Sequence, residues 1–449
     1  MSFTRDRCFE AIIKFKSKSH LKLKEFMLET NSKLLEIIHD LIKDIVEQNP
    51  KAIYYIQEMI YEGKYGRRLQ GFDGNVPAHD DNVNDVKVSL DGKMIASASV
   101  DKTVKVWRKQ EDDTFLSTSW KMIDSLDIQH QSPVWSVTFS RNGELIASGD
   151  ADGIIKITSI NNNSINRQIK PKEDNDEIVL KLMFSPDDQS IVSANWDKNV
   201  RVWKLLDHNY ELIKIGEHDD KVYGVCFNSD GKFIASGGGD NKVNIWSLPP
   251  DAKLLHSLVP ELEKKMAQKT PVFDVKFSFD GQMIAAAYKD NFVRIWDIKT
   301  KKTIKNCKHK DTVYGISFSP DNQMIASGSK DGFVRVWSTV TYGDLNAEPI
   351  AEFWHGVQIN SVSFSHDGKF IASGGDDKNV RIWDTVNIGE SRQELIERIS
   401  KDTYNYLINI VNQPAIFDIL QNLLSIDKTK AREINIGDFL KNVFLTPGN

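Results

Sequence analysis

Residue types that commonly do chemistry are present in this chain of 449 residues, but they are not spaced for it. Of ten histidines, His79, His130, His218, His309 and His355 recur at one place in a repeating pattern. His20, His39, His208, His256 and His366 are scattered and form no HExxH or H-x3-H pair that could grip a metal. Cys8, Cys226 and Cys307 lie far apart and make no CxxC pair, which argues against a disulfide framework or a cysteine-built zinc site. Each cysteine also lacks an obvious activating base. Cys226, between Val225 and Phe227, is open to two readings: an inert packed thiol, or one facing a polar slot. No GxSxG elbow and no G-x-x-x-x-G-K-[ST] phosphate loop occurs. The stretch HDDNVND, His79 to Asp85, looks like a calcium loop but lacks its glycine and terminal glutamate, so it reads as a turn. Lys14, Lys16, Lys18, Lys22 and Lys24 could touch phosphate or an anionic membrane, yet on a helix they spread around the cylinder as a solvated surface. The expectation is a protein with no catalytic residues, no cofactor and no metal.

Bulk properties narrow the partners. With 58 basic and 63 acidic residues the formal charge is −5, so no broad phosphate-binding footprint exists and nucleic acid is disfavoured. A content of 40% hydrophobic and 27% charged residues is that of a soluble globular chain. No apolar run reaches membrane-spanning length, and the start MSFTRDRCFEAIIKFK lacks a secretory apolar core. A cytoplasmic protein with no membrane partner is expected.

The elements that position the recurring histidines come from an internal repeat. Seven segments share one order: an apolar strand, a polar turn, a strand ending near Ala-Ser, an aspartate, and a β-branched run closing on tryptophan. The turns begin at Ser89, Ser140, Ser185, Asn228, Ser278, Ser319 and Ser365 and carry the Asp, Asn and Gly that tight turns require. The aspartate positions are 101, 152, 197, 240, 290, 331 and 377, spaced by 41 to 51 residues. Val83, Val134, Val179, Val222, Val272, Val313 and Val357 are read as one equivalent apolar position of the first strand. Short strands of this kind cannot bury an apolar face alone, so the units must stack. About four strands per 40–45 residues, repeated around a ring, predicts a mainly β fold: a seven-bladed β-propeller with α-helical flanks.

These residues resemble the WD-repeat family over roughly residues 66–385. The segments AHDDNV…IASASVDKTVKVW, EHDDKV…IASGGGDNKVNIW, KHKDTV…IASGSKDGFVRVW and WHGVQI…IASGGDDKNVRIW carry the likeness most fully. The resemblance implies that four blades are pinned by hydrogen-bonded sets: His79–Ser97–Asp101–Trp107, His218–Ser236–Asp240–Trp246, His309–Ser327–Asp331–Trp337 and His355–Ser373–Asp377–Trp383. Three blades depart from it. Blade two keeps His130, Ser148 and Asp152 but has Thr158 for Trp; blade three has Asn175 for His beside Ser193, Asp197 and Trp203; blade five has Gln268 and Ala286 beside Asp290 and Trp296. These three are expected to be the less rigid blades.

The family likeness also implies where partners bind. The top-face position after the first-strand valine reads Asn84, Trp135, Leu180, Tyr223, Phe273, Tyr314 and Asn360, so blades two to six offer five large groups in a row. Trp196 adds another ring, Lys221, Lys289 and Lys330 give basic neighbours, and Asp376 is the acidic exception. Aromatic anchors at a rim favour a protein or peptide partner, and the lysines favour an acidic or phosphorylated one. The competing reading is that the rings only plug the central channel.

The domain reading is a helical segment 1–65, the propeller 66–385, and a helical segment 386–449. The apolar face Leu34, Ile38, Leu41 and Ile45 and the capping pair Ser391 and Glu394 support helices in the flanks. Closing the ring requires a fourth strand for the last blade from within residues 66–77, which would bring both flanks to one place and let them pack as a joint subdomain, either as a cap or as a second docking module. The segment AIYYIQEMIYEGKYGRRLQGF resembles the lead-in to WD repeats in bacterial signal-transduction ATPases, though without a phosphate loop this chain is no such ATPase by itself. The functional expectation is a non-catalytic scaffold or adaptor that binds its partner on the aromatic top face. The alternative is a regulatory or sensor subunit of a larger signalling enzyme complex, docked through the helical flanks.

Overall fold

The computed structural model describes residues 67–69, 78–385 and 388, apart from the segments 111–119, 124–125, 127, 162–165, 171–177, 207–208, 249–251, 261–268, 341–344 and 386–387. The expected helical flanks, their joint packing and the lysines Lys14 to Lys24 lie outside the described residues, as do Asn175 and Gln268.

Seven antiparallel sheets follow one another along the chain. Four consist wholly of consecutive strands, such as Val222–Phe227, Phe233–Gly238, Val243–Ser247 and Leu254–Leu258 in blade four. The seventh joins Ile359–Phe364, Phe370–Gly375 and Val380–Asp384 to the distant Arg67–Leu69, in the register Arg67 with Ile382 and Leu69 with Val380. That pairing covers the last sheet's edge with backbone from ahead of the first blade. Blade one has a divided outer strand, Trp120–Met122 and Ile128–Gln129, both pairing Thr103–Lys109. In blade five the outer strand Thr303–Lys308 gains a parallel partner, Asn346–Ala347, from the connection between the third and fourth strands of blade six.

The turn between the first two strands shows why its residues recur. In blade one Ser89 Oγ donates to Asp91 Oδ1 at 2.5 Å and accepts from the Met94 amide, while Asp91 accepts from the Lys93 amide. Asn142 takes the aspartate's part in blade two, and Asn228 the serine's in blade four. Asn and Asp stabilise such turns by bonding to the backbone a few residues on.

The apolar core lies between neighbouring sheets. Val83, Val86, Ile95 and Trp107 of blade one pack with Phe370, Ala372, Val380 and Ile382 of blade seven, and comparable layers separate the other blades. Every innermost strand carries a register shift after its first residue, for example between Val83 and Asp85. Such a bulge re-aims the extra side chain, and it explains why the buried apolar positions are three apart before the two-residue period resumes. The shift also corrects the blade-seven register: the position equivalent to Val83 is Ile359, fully buried and opposite Gly375, whereas Val357 lies in the connection ahead of the strand. The apolar similarity of Val357 had outweighed the two-residue offset.

Candidate functional site

The pins within each blade hold the upper loops in place. In blade four the Trp246 indole donates to Ser236 Oγ at 2.7 Å, Ser236 Oγ lies 2.7 Å from His218 Nε2, and His218 Nδ1 lies 2.9 Å from Asp240. The carboxylate then accepts the amides of Asp219 and Lys242, so one chain of bonds ties two strands to the loops above them. Blade one repeats it, with His79 at 2.7 Å from both Ser97 and Asp101 and its ring edge-on to Trp107. Burial lowers the His79 pKa, and the bonds from His79 and Thr103 hold Asp101 well below the ordinary carboxylate range against the opposing effect of burial.

Blade six adds a guanidinium. Trp337 donates to Ser327 Oγ and His309 Nε2 meets the same oxygen, both at 2.7 Å, but Arg335 bonds both His309 Nδ1 and Asp331. His309 Nδ1 thus stands between the Arg335 guanidinium and the Asp331 carboxylate, whose nearer oxygen is 3.2 Å away. Blade seven loosens the pattern: Trp383 donates to Ser373 at 2.7 Å, while His355 Nδ1 stands 3.6 Å from Asp377, which takes Arg381 at 2.8 Å.

The divergent blades hold their loops by other means. In blade two the histidine's carboxylate is Asp150, at 2.8 Å from His130 Nδ1, and not Asp152. Asp150 ends the second strand, fully buried, and takes the amides of Asp152 and Ile154 on its other oxygen; Asp152, two residues on, is exposed in the turn. The recurring Asp spacing pointed to the wrong carboxylate because two stand in one turn. In blade three Arg201 bonds Asp197 through both nitrogens, and Trp203 donates to Ser193 at 2.9 Å. In blade five Arg294 forks onto Asp290 at 2.9 and 2.6 Å. Tyr288 lies fully buried beneath it, 4.6 Å from the guanidinium carbon to the ring centroid, and tilts against Trp296. These arginines escaped sequence reasoning. Their signal was the Asp-x-x-x-Arg spacing, present at Asp197, Asp290, Asp331 and Asp377.

Above the pins, the bulged residues form the upper rim. Tyr223, Phe273 and Tyr314 touch ring to ring, with centroids 5.1 and 5.0 Å apart across blades four, five and six. Burial raises both tyrosine pKa values, helped by Asp220 at Tyr223 and by Asp311 and Asp376 at Tyr314. Leu180 is half-buried; Trp135 and Trp196 are 37% and 40% exposed, unusually open for tryptophan. Lys221 Nζ sits 3.3 Å over the Trp196 ring, whereas Lys289 and Lys330 are exposed. The two asparagines close the rim: Asn84 donates to the Val134 carbonyl, and Asn360 to the Val83 carbonyl and Asp376. Their positions thus join neighbouring blades.

Below the rim, the innermost strands hold charges that sequence reasoning missed. Asp85 is fully buried; its Oδ1 receives Lys87 and Lys181 at 2.9 Å and Ser361 at 2.7 Å, and its Oδ2 receives Ser136 at 2.9 Å. Across the ring, Lys276 donates to Asp274 at 2.6 Å. Gly224 and Gly315 border this level because a Cβ there would come within 2.8 and 2.9 Å of the neighbouring strands' Asp274 and Ser361 Cα atoms. The signal was charged residues on a strand face otherwise small or apolar. Both described cysteines are packed thiols: Cys226 is pushed up to about 11 and Cys307 to about 12 by burial. Among the described residues no group of three His, Cys, Asp or Glu side chains could hold a metal ion.

A closed ring of seven four-to-five-stranded sheets, each with a pinned upper loop, defines the class as a β-propeller. The chain belongs to the WD domain, G-beta repeat family, whose profile matches residues 72–108, 120–159, 169–204, 210–247, 261–297, 301–338 and 347–384. Among solved structures, the WD40 β-propeller domain of Doa1 is similar in fold, with a TM-score of 0.56 at 21% identity over 74% of this chain and 98% of that one. Among curated proteins, the Target of rapamycin complex subunit wat1 of Schizosaccharomyces pombe is 26% identical over 140 residues, 31% of this chain and 40% of the relative. The Probable cytosolic iron-sulfur protein assembly protein 1 of Vanderwaltozyma polyspora is 30% identical over 140 residues, 30% of this chain and 39% of the relative. The matched stretch is thus well under half of either relative.

Proposed function

We propose that this protein is a non-catalytic scaffold that captures a protein or peptide on the upper rim of its propeller. The observation that carries this reading is the row of Tyr223, Phe273 and Tyr314, continued outward by the exposed rings of Trp135 and Trp196. Contiguous aromatic surface bordered by polar groups provides large burial at low conformational cost, which is the character of interface anchors. Lys289 and Lys330 beside this row give an acidic or phosphorylated segment a place to settle. A relative named as a complex subunit is in keeping with the reading. That name also favours a second one, in which the chain is a regulatory subunit of a larger signalling assembly and the flanks 1–65 and 386–449 supply the docking.

The test is affinity purification with mass spectrometry, comparing the full-length protein with a Trp135→Ala/Tyr223→Ala/Tyr314→Ala variant of confirmed thermal stability. Loss of a specific partner from the folded variant supports rim capture. An unchanged set of partners contradicts it and moves attention to the flanks.

A further inference from the structure

The channel charges do not balance. The two side-chain levels formed by positions 85, 136, 181, 224, 274, 315, 361 and by the residues two further on hold three lysines, Lys87, Lys181 and Lys276, against two aspartates, Asp85 and Asp274. All five stand on innermost strands, of blades one, three and five. Asp85 has little capacity left: besides the four side-chain donors, it takes the Val86 amide on Oδ1 and the Val137 amide on Oδ2. Asp274 takes Lys276 and the amides of Val275 and Ile316.

The lysines, by contrast, have donors to spare. Each ammonium has three N–H groups. Lys87 gives one to Asp85 and one to the Val86 carbonyl, and Lys276 gives one to Asp274 and one to the Val275 carbonyl. Lys181 gives one to Asp85. The side chains of Lys87 and Lys276 are 18% and 19% exposed, so both remain within reach of channel solvent, while that of Lys181 is 9% exposed. A surplus positive charge held away from bulk water is costly unless a counter-charge joins it.

We propose that the lower part of the central channel binds one compact oxyanion of the phosphate type between Lys87 and Lys276, with Lys181 behind them. A single-atom anion satisfies one direction well, whereas a tetrahedral oxyanion offers separate acceptors to ammonium groups arriving from different blades. The limited exposure of the lysines selects a small free ion over a bulky phosphorylated side chain. The state of Lys87 fits: burial, with Lys181 and Lys276 as like charges, pushes it down to about 8 although Asp85 and Asp274 oppose the shift. An anion beside it would restore its affinity for the proton. The site is independent of the aromatic rim and of any partner bound there.

The experiment is isothermal titration of the full chain with inorganic phosphate at constant ionic strength, with chloride as the control. Saturable one-to-one binding at pH 7 is expected, weakening about tenfold or more by pH 9.5 as Lys87 loses its proton. Lys276→Met, which keeps most of the unbranched side chain and removes its charge, is expected to abolish binding, and Tyr223→Ala on the rim to leave it intact. Absence of saturable binding at pH 7 overturns the proposal, as does binding that survives Lys276→Met in a folded variant. The wild-type titration at pH 7 needs no variant, so it decides the matter even where Lys276→Met fails to fold.

Discussion

Blades four and five hold the same loop with opposite chemistry. In blade four a tryptophan, serine, histidine and aspartate pass hydrogen bonds along a line, and each polar group meets a partner. Blade five has alanine at the serine position and satisfies its aspartate with a forked, permanently charged arginine over a buried tyrosine. Blade six contains both devices at once, with Arg335 set against both His309 and Asp331. A propeller blade therefore requires a satisfied carboxylate beneath its upper loop and tolerates more than one donor. In blades three and five, where the sequence reading set Asn175 and Gln268 in the histidine's place, an arginine four residues beyond the aspartate satisfies the carboxylate.

The contrast yields graded consequences. Asp290→Ala in blade five leaves the Arg294 guanidinium nearly buried and unpaired, and a loss of about 3–5 kcal/mol in denaturant unfolding is expected, as is usual when one partner of a buried pair is removed. The same change at Asp240 leaves His218 bonded to Ser236 and is expected to cost less, about 1–3 kcal/mol. Equal losses would erase the distinction between the two pins. Trp246→Phe removes an indole donor from Ser236, whereas Ala286 offers the Trp296 indole no hydroxyl; the blade-four change should cost about 1 kcal/mol more.

The smallest effect concerns pH. His79 and His309 have pKa values lowered by burial, so the unfolded chain takes up protons that the folded chain refuses. Their contribution to stability is complete above the ordinary histidine value of about 6.5 and is lost as pH falls from there toward the folded values. Asp197, held below its ordinary value in spite of burial, chiefly by bonds from Arg201 and Asn199, loses its contribution only in the acid range below about 3.9. Unfolding free energy measured from pH 7 to pH 5 should therefore decline in the wild type and decline less steeply in His79→Gln. An unchanged slope would show that the buried imidazole does not sense pH.

Much of this architecture was legible because a repeat states each rule several times. The seven turns, the buried tryptophans and the aromatic rim positions all stand at fixed offsets, and stacking short strands leaves a ring as the economical solution. What escaped was local competition. Asp150 and Asp152 share one turn, and only the fold shows which reaches His130; Ile359 and Val357 are both apolar, and only the bulge register separates them. The channel charges were invisible for another reason. Asp85, Lys181 and Ser361 belong to three different blades, so closure of the ring alone brings them together.

Scaffolding at the upper rim is tested most directly by site-specific photo-crosslinking in the full-length protein. A benzophenone side chain placed at Trp196 on the rim is compared with one at Phe279, which is 43% exposed in a lower turn. The rim position is expected to yield one dominant protein adduct, diminished by Tyr223→Ala/Tyr314→Ala, while the lower position yields none in common. Adducts from Phe279 alone, or rim adducts indifferent to loss of the two tyrosines, would contradict capture on the aromatic face.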